Sequence, residues 1–421
     1  MKNWRHIWPL RSTKCEKAQQ KTTSDDEDRI SKLPDDILHQ ILSSVNTKQA
    51  VQTSVLSSRW RRLCYSMPNL SFDFELLLLQ SRKGTPTWSS HNPEYMSRFT
   101  RFVTQFLSRR DNTSTIDRFR LASKDRSTDS IFVGKCIDYA IHHGARHLDI
   151  DVNCHPTPPL KYFPNSLFAS EALQALKLKQ YTNSIVVPKQ PFVIMPNLKT
   201  LHLDSFEFRD DINDPYRFPT EPFSGFPSLE ELTIRDCEVS GLIIRSSRLR
   251  ALEISFSHPL YSRQAKIERI LAPVLSSFRY EGYVSLVCPE MDLPSLEDVY
   301  FDVYAVLASP YTDDIKKKMP INLVRMLQQL GNAKLVTLTL HTIQVNQFDL
   351  WKLIKVIAMD LHLLKQSPSP FRRIKCLKLT EGRYRSLYPR MKTVPVTVIH
   401  YLTKGSIYGD SLVVEFPKGI S

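Results

Sequence analysis

The chain has 421 residues, of which 42% are hydrophobic, and a formal net charge of +14 at pH 7. This hydrophobic content is sufficient for folded cores and excludes a chain that is disordered throughout. The seven cysteines are an odd number with no C-x-x-C pair, so neither a disulfide framework nor a zinc ladder is indicated.

The two ends of the chain carry almost all of the excess positive charge. Residues 1–21 contain six Lys or Arg and one acidic residue, and residues 365–421 contain eleven and three, which gives +5 and +8. Basic ends can contact an acidic partner or nucleic acid, but a solvated or import-signal role is the simpler interpretation. Residues 1–27 have no apolar periodicity and no stretch typical of a secretory signal. We therefore expect a disordered tail on a soluble protein of the cytoplasm or nucleus, and no membrane partner.

Residues 28–72 have the pattern of a compact helical unit. Pro34 suits the first helical position, and the apolar residues after it recur on one helical face. Thr47 is a candidate N-cap for a second helix, and Ser57 or Ser58 for a third. A unit of about 45 residues buries too little surface to be very stable alone, so we expect it to bind a partner.

Residues 73–92 are predicted to be a linker, so that the remainder of the chain should fold without the helical unit. An amphipathic helix follows at 93–110. Beyond it, short strand-like segments place one polar residue between two apolar residues, and most of these segments are 20 to 31 residues apart. The apolar pairs are Phe119/Leu121, Leu148/Ile150, Leu176/Leu178, Leu201/Leu203, Leu232/Ile234, Leu252/Ile254, Phe278/Tyr280, Val299/Phe301, Leu338/Leu340 and Leu377/Leu379.

A second repetition supports the first. The segments that begin at Met195, Phe226 and Leu293 share the pattern apolar-Pro-Asn/Ser-Leu, followed by two polar residues and another apolar residue. Such self-similarity indicates a leucine-rich-repeat solenoid with parallel strands over residues 93–380. We expect residues 381–421 to form a C-terminal capping region. The predicted fold class is thus α/β, with three N-terminal helices followed by the solenoid.

The N-terminal pattern resembles a known domain. Residues 28–45, 47–63 and 67–73 are similar to the F-box of the plant F-box/leucine-rich-repeat family, and the C-terminal region is FBD-like. Ser44, Asn46 and Cys64 stand where this family often carries Phe, Pro and Trp. Loss of a large apolar side chain from a buried interface would cost roughly 1–3 kcal/mol.

The resemblance implies the substrate-recognition subunit of an SCF-type cullin-RING ubiquitin ligase. The F-box would bind a Skp-type adaptor attached to a cullin scaffold, and the repeats would hold an unidentified target protein. Such a subunit supplies no catalytic group. We therefore expect that the chain is not an enzyme and binds no cofactor. The predicted adaptor-binding residues, some of which would also seal the unit, are Leu33, Pro34, Ile37, Leu38, Ile41, Leu42, Val55, Leu56, Trp60 and Leu63.

The polar residues of the repeat strands should face one concave surface, because side chains alternate along a strand. Charges of both signs alternate there, which favours a protein target over nucleic acid. The candidate target-binding residues are Lys177, Lys179, His202, Asp204, Arg235, Glu253, Arg279, Glu281, Tyr300 and Asp302.

Motifs for other chemistry are weak or missing from the sequence. His147, Asp149 and Asp151 lie close to further His and Cys residues, but they alternate with apolar residues as any repeat strand does. No recognised metal-ligand spacing is present, so we predict no metal site. The sequence also contains no phosphate-binding glycine loop, no G-x-S-x-G elbow and no H-E-x-x-H motif.

Two alternatives remain open at this point. The chain could be a repeat-based binding protein whose F-box is degenerate or serves another scaffold, with nucleic acid or an inositol phosphate as ligand. Some related plant receptors also bind a small hormone in the repeat concavity, although no residue here identifies one.

Overall fold

The structure is a computed structural model, and its description covers a defined part of the chain. The described residues are 30, 32–79, 93–154, 164–181, 194–206, 221–237, 239–257, 266–283, 288–304, 325–340, 342, 369–382, 394 and 396–417. The predicted tail at 1–27 and residues 80–92 of the predicted linker lie outside the described residues. The chain divides into two compact units, the first with the described residues up to 154 and the second with those from 165 onward.

The first unit combines helices with three parallel strands, paired in the order β1-β2-β3. No helix in the described part of the chain is both long and apolar enough to cross a bilayer. The elements are α1 (Asp35–Ser43), α2 (Thr47–Thr53), α3 (Ser58–Ser66), β1 (Asn69–Asp73), α4 (Phe74–Leu79), α5 (Pro93–Arg109), β2 (Arg118–Thr128), α6 (Ser130–His142) and β3 (His147–Cys154).

The three predicted N-terminal helices are present, with different caps from those expected. Asn46, not Thr47, is the N-cap of α2, where its side chain and that of Gln49 form a reciprocal capping box. Thr47 is buried instead, and its Oγ1 accepts a hydrogen bond from the backbone N–H of Ser71 at 2.8 Å. Ser57 caps α3, as one of the two predicted candidates. An Asn that caps a helix offers a local reason for the departure from Pro at position 46.

The junction after α3 differs from the predicted linker. Asp73 ends β1, and residues 74–79 form α4, so the first seven residues of the expected linker are regular structure. Phe72 of β1 lies among Phe102, Phe106 and Phe119, with ring centroids 5.7 to 6.1 Å apart. The sequence prediction missed this because a single strand of five residues carries little periodicity of its own.

A buried arginine fixes the same junction. Arg110 is 3% exposed, and its guanidinium donates to the carbonyl oxygens of Met67 at 3.0 Å and Thr115 at 2.8 Å. These carbonyls belong to the segments that enter β1 and β2. The helical unit and the residues that follow it in the first unit therefore share one core.

The second unit contains a large parallel sheet, paired in the order β4-β5-β6-β8-β10-β12-β13-β14-β15, and a small one, paired β7-β9-β11. Its elements are α7 (Asn165–Phe168), β4 (Ala175–Gln180), β5 (Thr200–Asp204), β6 (Glu231–Arg235), β7 (Ser240–Arg245), β8 (Ala251–Ser255), β9 (Lys266–Leu271), β10 (Ser277–Tyr283), β11 (Glu290–Asp292), β12 (Asp298–Tyr304), β13 (Leu335–Thr339), β14 (Cys376–Thr380), α8 (Val396–Thr403), a 3-10 turn (Gly409–Ser411) and β15 (Val413–Glu415).

The predicted apolar pairs build the core of this sheet in two aligned ladders. From β4 to β14, the first ladder is Leu176, Leu201, Leu232, Leu252, Phe278, Val299, Val336 and Leu377. The second is Leu178, Leu203, Ile234, Ile254, Tyr280, Phe301, Leu338 and Leu379. Every one of these side chains is buried. The predicted α/β class with a parallel-strand repeat body is confirmed. In β13 the aligned core pair is Val336/Leu338, two residues earlier than the predicted pair Leu338/Leu340.

The repeated phrase also has a structural counterpart. In its three copies the leucine N–H donates to the carbonyl oxygen three residues earlier, at 3.2 Å for Leu198, 3.1 Å for Leu229 and 3.4 Å for Leu296. The apolar residue that begins each turn and the leucine that ends it are both buried. The phrase therefore encodes the turn that leads into β5, β6 and β12.

Candidate interaction surfaces

The first candidate surface is an apolar patch on the three N-terminal helices. Ile37 and Ile41 of α1 are 39% and 43% exposed, and Val55 and Leu56, after α2, are 68% and 67% exposed. We call these four side chains the apolar patch. Pro34 is also exposed, and Leu33 is half-buried. Several exposed large apolar side chains on so small a unit are typical of a protein-binding surface.

The other four predicted adaptor-binding residues lie inside the unit. Leu38, Leu42, Trp60 and Leu63 are at most 8% exposed, so they form the core on which the patch rests. The single helical stripe in the sequence therefore separates into two faces, because residues one position apart on a helix point about 100° from each other. The sequence alone could not assign each residue to one of them.

Polar contacts hold the start of α1 against α3. The Arg59 guanidinium donates to the Asp35 carboxylate at 2.5 Å and to the Leu33 carbonyl oxygen at 2.5 Å. Because Arg59 contacts both the entry to α1 and its first turn, it fixes the segment that carries Leu33 and Pro34. Nearby in the same unit, burial lowers the pKa of Lys48 in α2 to about 8.

The second candidate surface is the polar face of the large sheet in the second unit. All ten predicted target-binding residues belong by strand register to this side of the sheet, in two rows, although Asp204, Glu281 and Asp302 are buried. The middle row runs Lys177, His202, Thr233, Glu253, Arg279, Tyr300, Thr337 and Lys378. The end row runs Lys179, Asp204, Arg235, Ser255, Glu281 and Asp302.

Ion pairs within the polar face neutralise much of its charge. Lys179 Nζ lies 3.1 Å from Asp204 Oδ2, and Arg235 Nη2 lies 3.1 Å from Glu253 Oε1. Arg235 Nε also donates to Ser255 Oγ at 3.2 Å. These contacts explain why charges of both signs alternate along the predicted face.

Arg279 is held differently. Its guanidinium carbon lies 3.6 Å from the centroid of the Tyr300 ring, on the next strand of the sheet. Its ion pair with Glu281 is longer, at 3.7 Å. Stacking on an aromatic ring orients a guanidinium while leaving its edge available for hydrogen bonds.

A cleft of about 520 Å³ opens at the carboxyl ends of the strands from β4 to β10. It includes four of the predicted residues together with others that the sequence did not indicate. Its lining consists of Lys179, Gln180, Tyr181, Asp204, Ser205, Arg235, Asp236, Ser255, Phe256, Ser257 and Glu281. Five of the seven missed residues lie just after the strands, where alternation no longer predicts direction, and Gln180 and Ser255 are the last residues of β4 and β8.

The rim of the cleft has an unusual backbone. Ser205 and Asp236 adopt positive φ angles of 66° and 48°. Their N–H groups each donate at 2.8 Å to the carbonyl oxygen of an end-row residue on the next strand. At Gly282 a Cβ atom would lie 3.0 Å from the backbone oxygen of Phe256, so glycine is required there.

The described polar residues of the first unit include an ion pair between neighbouring strands. Arg120 donates to the Asp149 carboxylate on the adjacent strand. Within the described ranges, no group of three His, Cys, Asp or Glu side chains is arranged to hold a metal ion. The six cysteines in those ranges are thiols and not disulfides, and burial raises the pKa of five of them to about 12.

Comparison with known proteins identifies the domain that the N-terminal helices form. Residues 30–72 match the F-box domain. The chain is 28% identical over 367 residues to F-box/LRR-repeat protein At5g02910 of Arabidopsis thaliana, covering 87% of this chain and 69% of that protein. It is 30% identical over 343 residues to F-box/LRR-repeat protein At3g59210 of the same plant, covering 76% and 63%.

The match is partial in length for several relatives. The chain spans between 55% and 66% of three other Arabidopsis F-box/LRR-repeat relatives. The matched domain includes the whole apolar patch, and the aligned regions are long enough to include much of the repeat strands. The chain therefore carries an F-box domain at residues 30–72 and is related over most of its length to the plant F-box/LRR-repeat proteins.

Proposed function

We propose that the chain is the substrate-recognition subunit of an SCF-type cullin-RING ubiquitin ligase. The apolar patch binds a Skp-type adaptor on a cullin scaffold, and the polar face of the second unit binds a target protein. The chain supplies no catalytic group of its own and works in the cytoplasm, the nucleus or both. The observation that carries this proposal is the exposure of Ile37, Ile41, Val55 and Leu56 within an F-box domain.

The energetics favour a partner on the patch. Full burial of a Val, Leu or Ile side chain contributes about 1.5–3 kcal/mol. Four such side chains provide enough apolar surface for the centre of a stable interface, in which a few buried anchors dominate the affinity.

The ligase role follows from tethering. A receptor that holds its target beside a charged ubiquitin-conjugating enzyme makes the transfer to a target lysine effectively intramolecular. This role needs two separate surfaces on one chain, one for the adaptor and one for the target. We assign the adaptor surface to the F-box domain and the target surface to the second unit, which lie on different parts of the sequence.

Co-expression of the full chain with a plant Skp-type adaptor tests the proposal. We expect a stable complex that co-elutes in size-exclusion chromatography and recruits a cullin when one is added. A chain that stays separate from the adaptor would contradict the ligase role and favour a repeat-based binding protein with a degenerate F-box.

A further inference from the structure

Three polar side chains at one end of the middle row have no partner within the described parts of the chain. Lys177, His202 and Thr233 lie on β4, β5 and β6 and are aligned by the strand register. We call these three the donor row. None of them forms a hydrogen bond or ion pair with a described residue, and all three are half-buried. The other cations of this region, Lys179 and Arg235, already contact carboxylates.

The donor row offers hydrogen-bond donors of three kinds. They are an ammonium, an imidazole N–H and a hydroxyl, spread over two strand spacings, or about 10 Å. Half-buried donors without a described protein acceptor are favourable places for a ligand acceptor, because a ligand that covers them must replace their hydrogen bonds to water.

The local charge selects the kind of acceptor. Two neutral ion pairs flank the donor row, Lys179 with Asp204 and Arg235 with Glu253. Lys177 adds one positive charge. Burial and the nearby positive charges of Arg235 and Lys177 lower the pKa of His202 below its usual value, despite the opposing effect of Asp204 and Glu253. At pH 7 the imidazole is therefore neutral, and the site carries a net charge of about +1.

We propose that the donor row binds a carboxylate side chain, Asp or Glu, of the target protein. This inference rests on the proposed function and names the chemistry of the target. A single carboxylate matches the net charge of about +1 at the site, whereas a nucleic acid or a polyphosphate brings several negative charges to one uncompensated cation.

A bound carboxylate also changes the protonation of His202. Its negative charge favours the imidazolium, so the pKa of His202 rises when the ligand binds and the complex takes up a proton. Binding should therefore tighten by up to about 10-fold as pH falls from 7.5 to 5.5. The ligand carboxyl stays ionised over most of this range because its ordinary pKa is about 4.

Selection of random 12-residue peptides on the immobilised full chain tests the inference. We expect the selected peptides to share an Asp or Glu whose replacement by Asn or Gln weakens binding at least about 10-fold. Lys177→Gln, His202→Gln and Thr233→Val should each weaken binding of the acidic peptide, while Arg372→Gln, at an exposed position outside the polar face, should not. The pH dependence should be absent from His202→Gln.

Several results would overturn the inference. They are a selection without an acidic consensus, acidic peptides that bind all three donor-row variants as tightly as wild type, and a phosphoserine or RNA ligand that binds these residues more tightly than the acidic peptide. Unchanged thermal melts of the variants establish that they are folded, and any one folded variant is sufficient for the test. Adaptor co-purification is measured separately, so that failure of the ligase role is distinguished from failure of the carboxylate site.

Discussion

The ring centroids of Phe72 and Phe106 lie 5.7 Å apart, and the two rings meet edge to face. This contact joins β1, the strand after the F-box helices, to α5. Phe72 is almost fully buried. We expect Phe72→Ala to lower the free energy of unfolding by about 3–5 kcal/mol. Denaturant melts followed by circular dichroism measure this change. Leu76→Ala, at an exposed position of α4, serves as the control and should cost within about 0.5 kcal/mol.

The same contact determines whether residues 93–421 can fold without the F-box. A chain that begins at residue 93 lacks β1, so β2 loses its partner strand and Phe102, Phe106 and Phe119 lose the ring that covers them. We now expect aggregation or a non-cooperative melt, in contrast to the independent folding predicted from the apparent linker. A sharp, reversible melt of residues 93–421 would contradict the shared core.

The sequence was informative where a pattern repeats and weak where a contact is unique. Ten apolar pairs at similar intervals predicted the sheet and its polar face, because each repeat restates the same burial rule. The role of Asn46 as a cap and the place of Phe72 in the core depend on single tertiary contacts. The cleft was missed because five of its seven unpredicted lining residues lie in turns beyond the strands.

Lys48 gives the F-box a pH-dependent stability. Burial lowers its pKa to about 8 in the folded state, against about 10.4 for an unfolded chain. The unfolded state therefore binds more protons between these values, and the free energy of unfolding rises with pH across that window. The destabilisation is fully present below pH 8.

Replacement of Lys48 by Met removes this effect. We expect Lys48→Met to be more stable than wild type at pH 7, on the order of 2 kcal/mol, with the difference shrinking as pH rises toward about 10. Urea melts at several pH values measure it, and Lys124→Met, on an exposed part of β2, is the control. A difference that stays constant with pH would show that burial of the charge is not its cause.

The polar face should control target capture without affecting the adaptor. Arg235 and Arg279 are both on this face, and neither belongs to the F-box domain. The double reversal Arg235→Glu with Arg279→Glu should impair binding of targets recovered from proteasome-inhibited cells. Because each reversal places a carboxylate beside Glu253 or Glu281, we also expect a loss of stability on the order of 1 kcal/mol for each.

Paired pull-downs against adaptor and target measure this effect. Reversal of the exposed Arg372 and Arg373 is the matched control and should leave both interactions intact. If the double reversal on the polar face still captures targets normally, recognition lies elsewhere on the chain. Concurrent loss of adaptor binding would point to a folding defect, which the melting curves would reveal.

The affinity of the full chain for a Skp-type adaptor, with and without the apolar patch, tests the account most directly. Ile41→Asp with Val55→Asp should weaken the complex at least about 100-fold, because each carboxylate buried in an apolar interface costs more than about 1.4 kcal/mol. Ile131→Asp with Ile194→Asp, at exposed positions outside the F-box domain, is the matched control and should bind as wild type does. Undiminished adaptor binding by the patch variant would contradict the account.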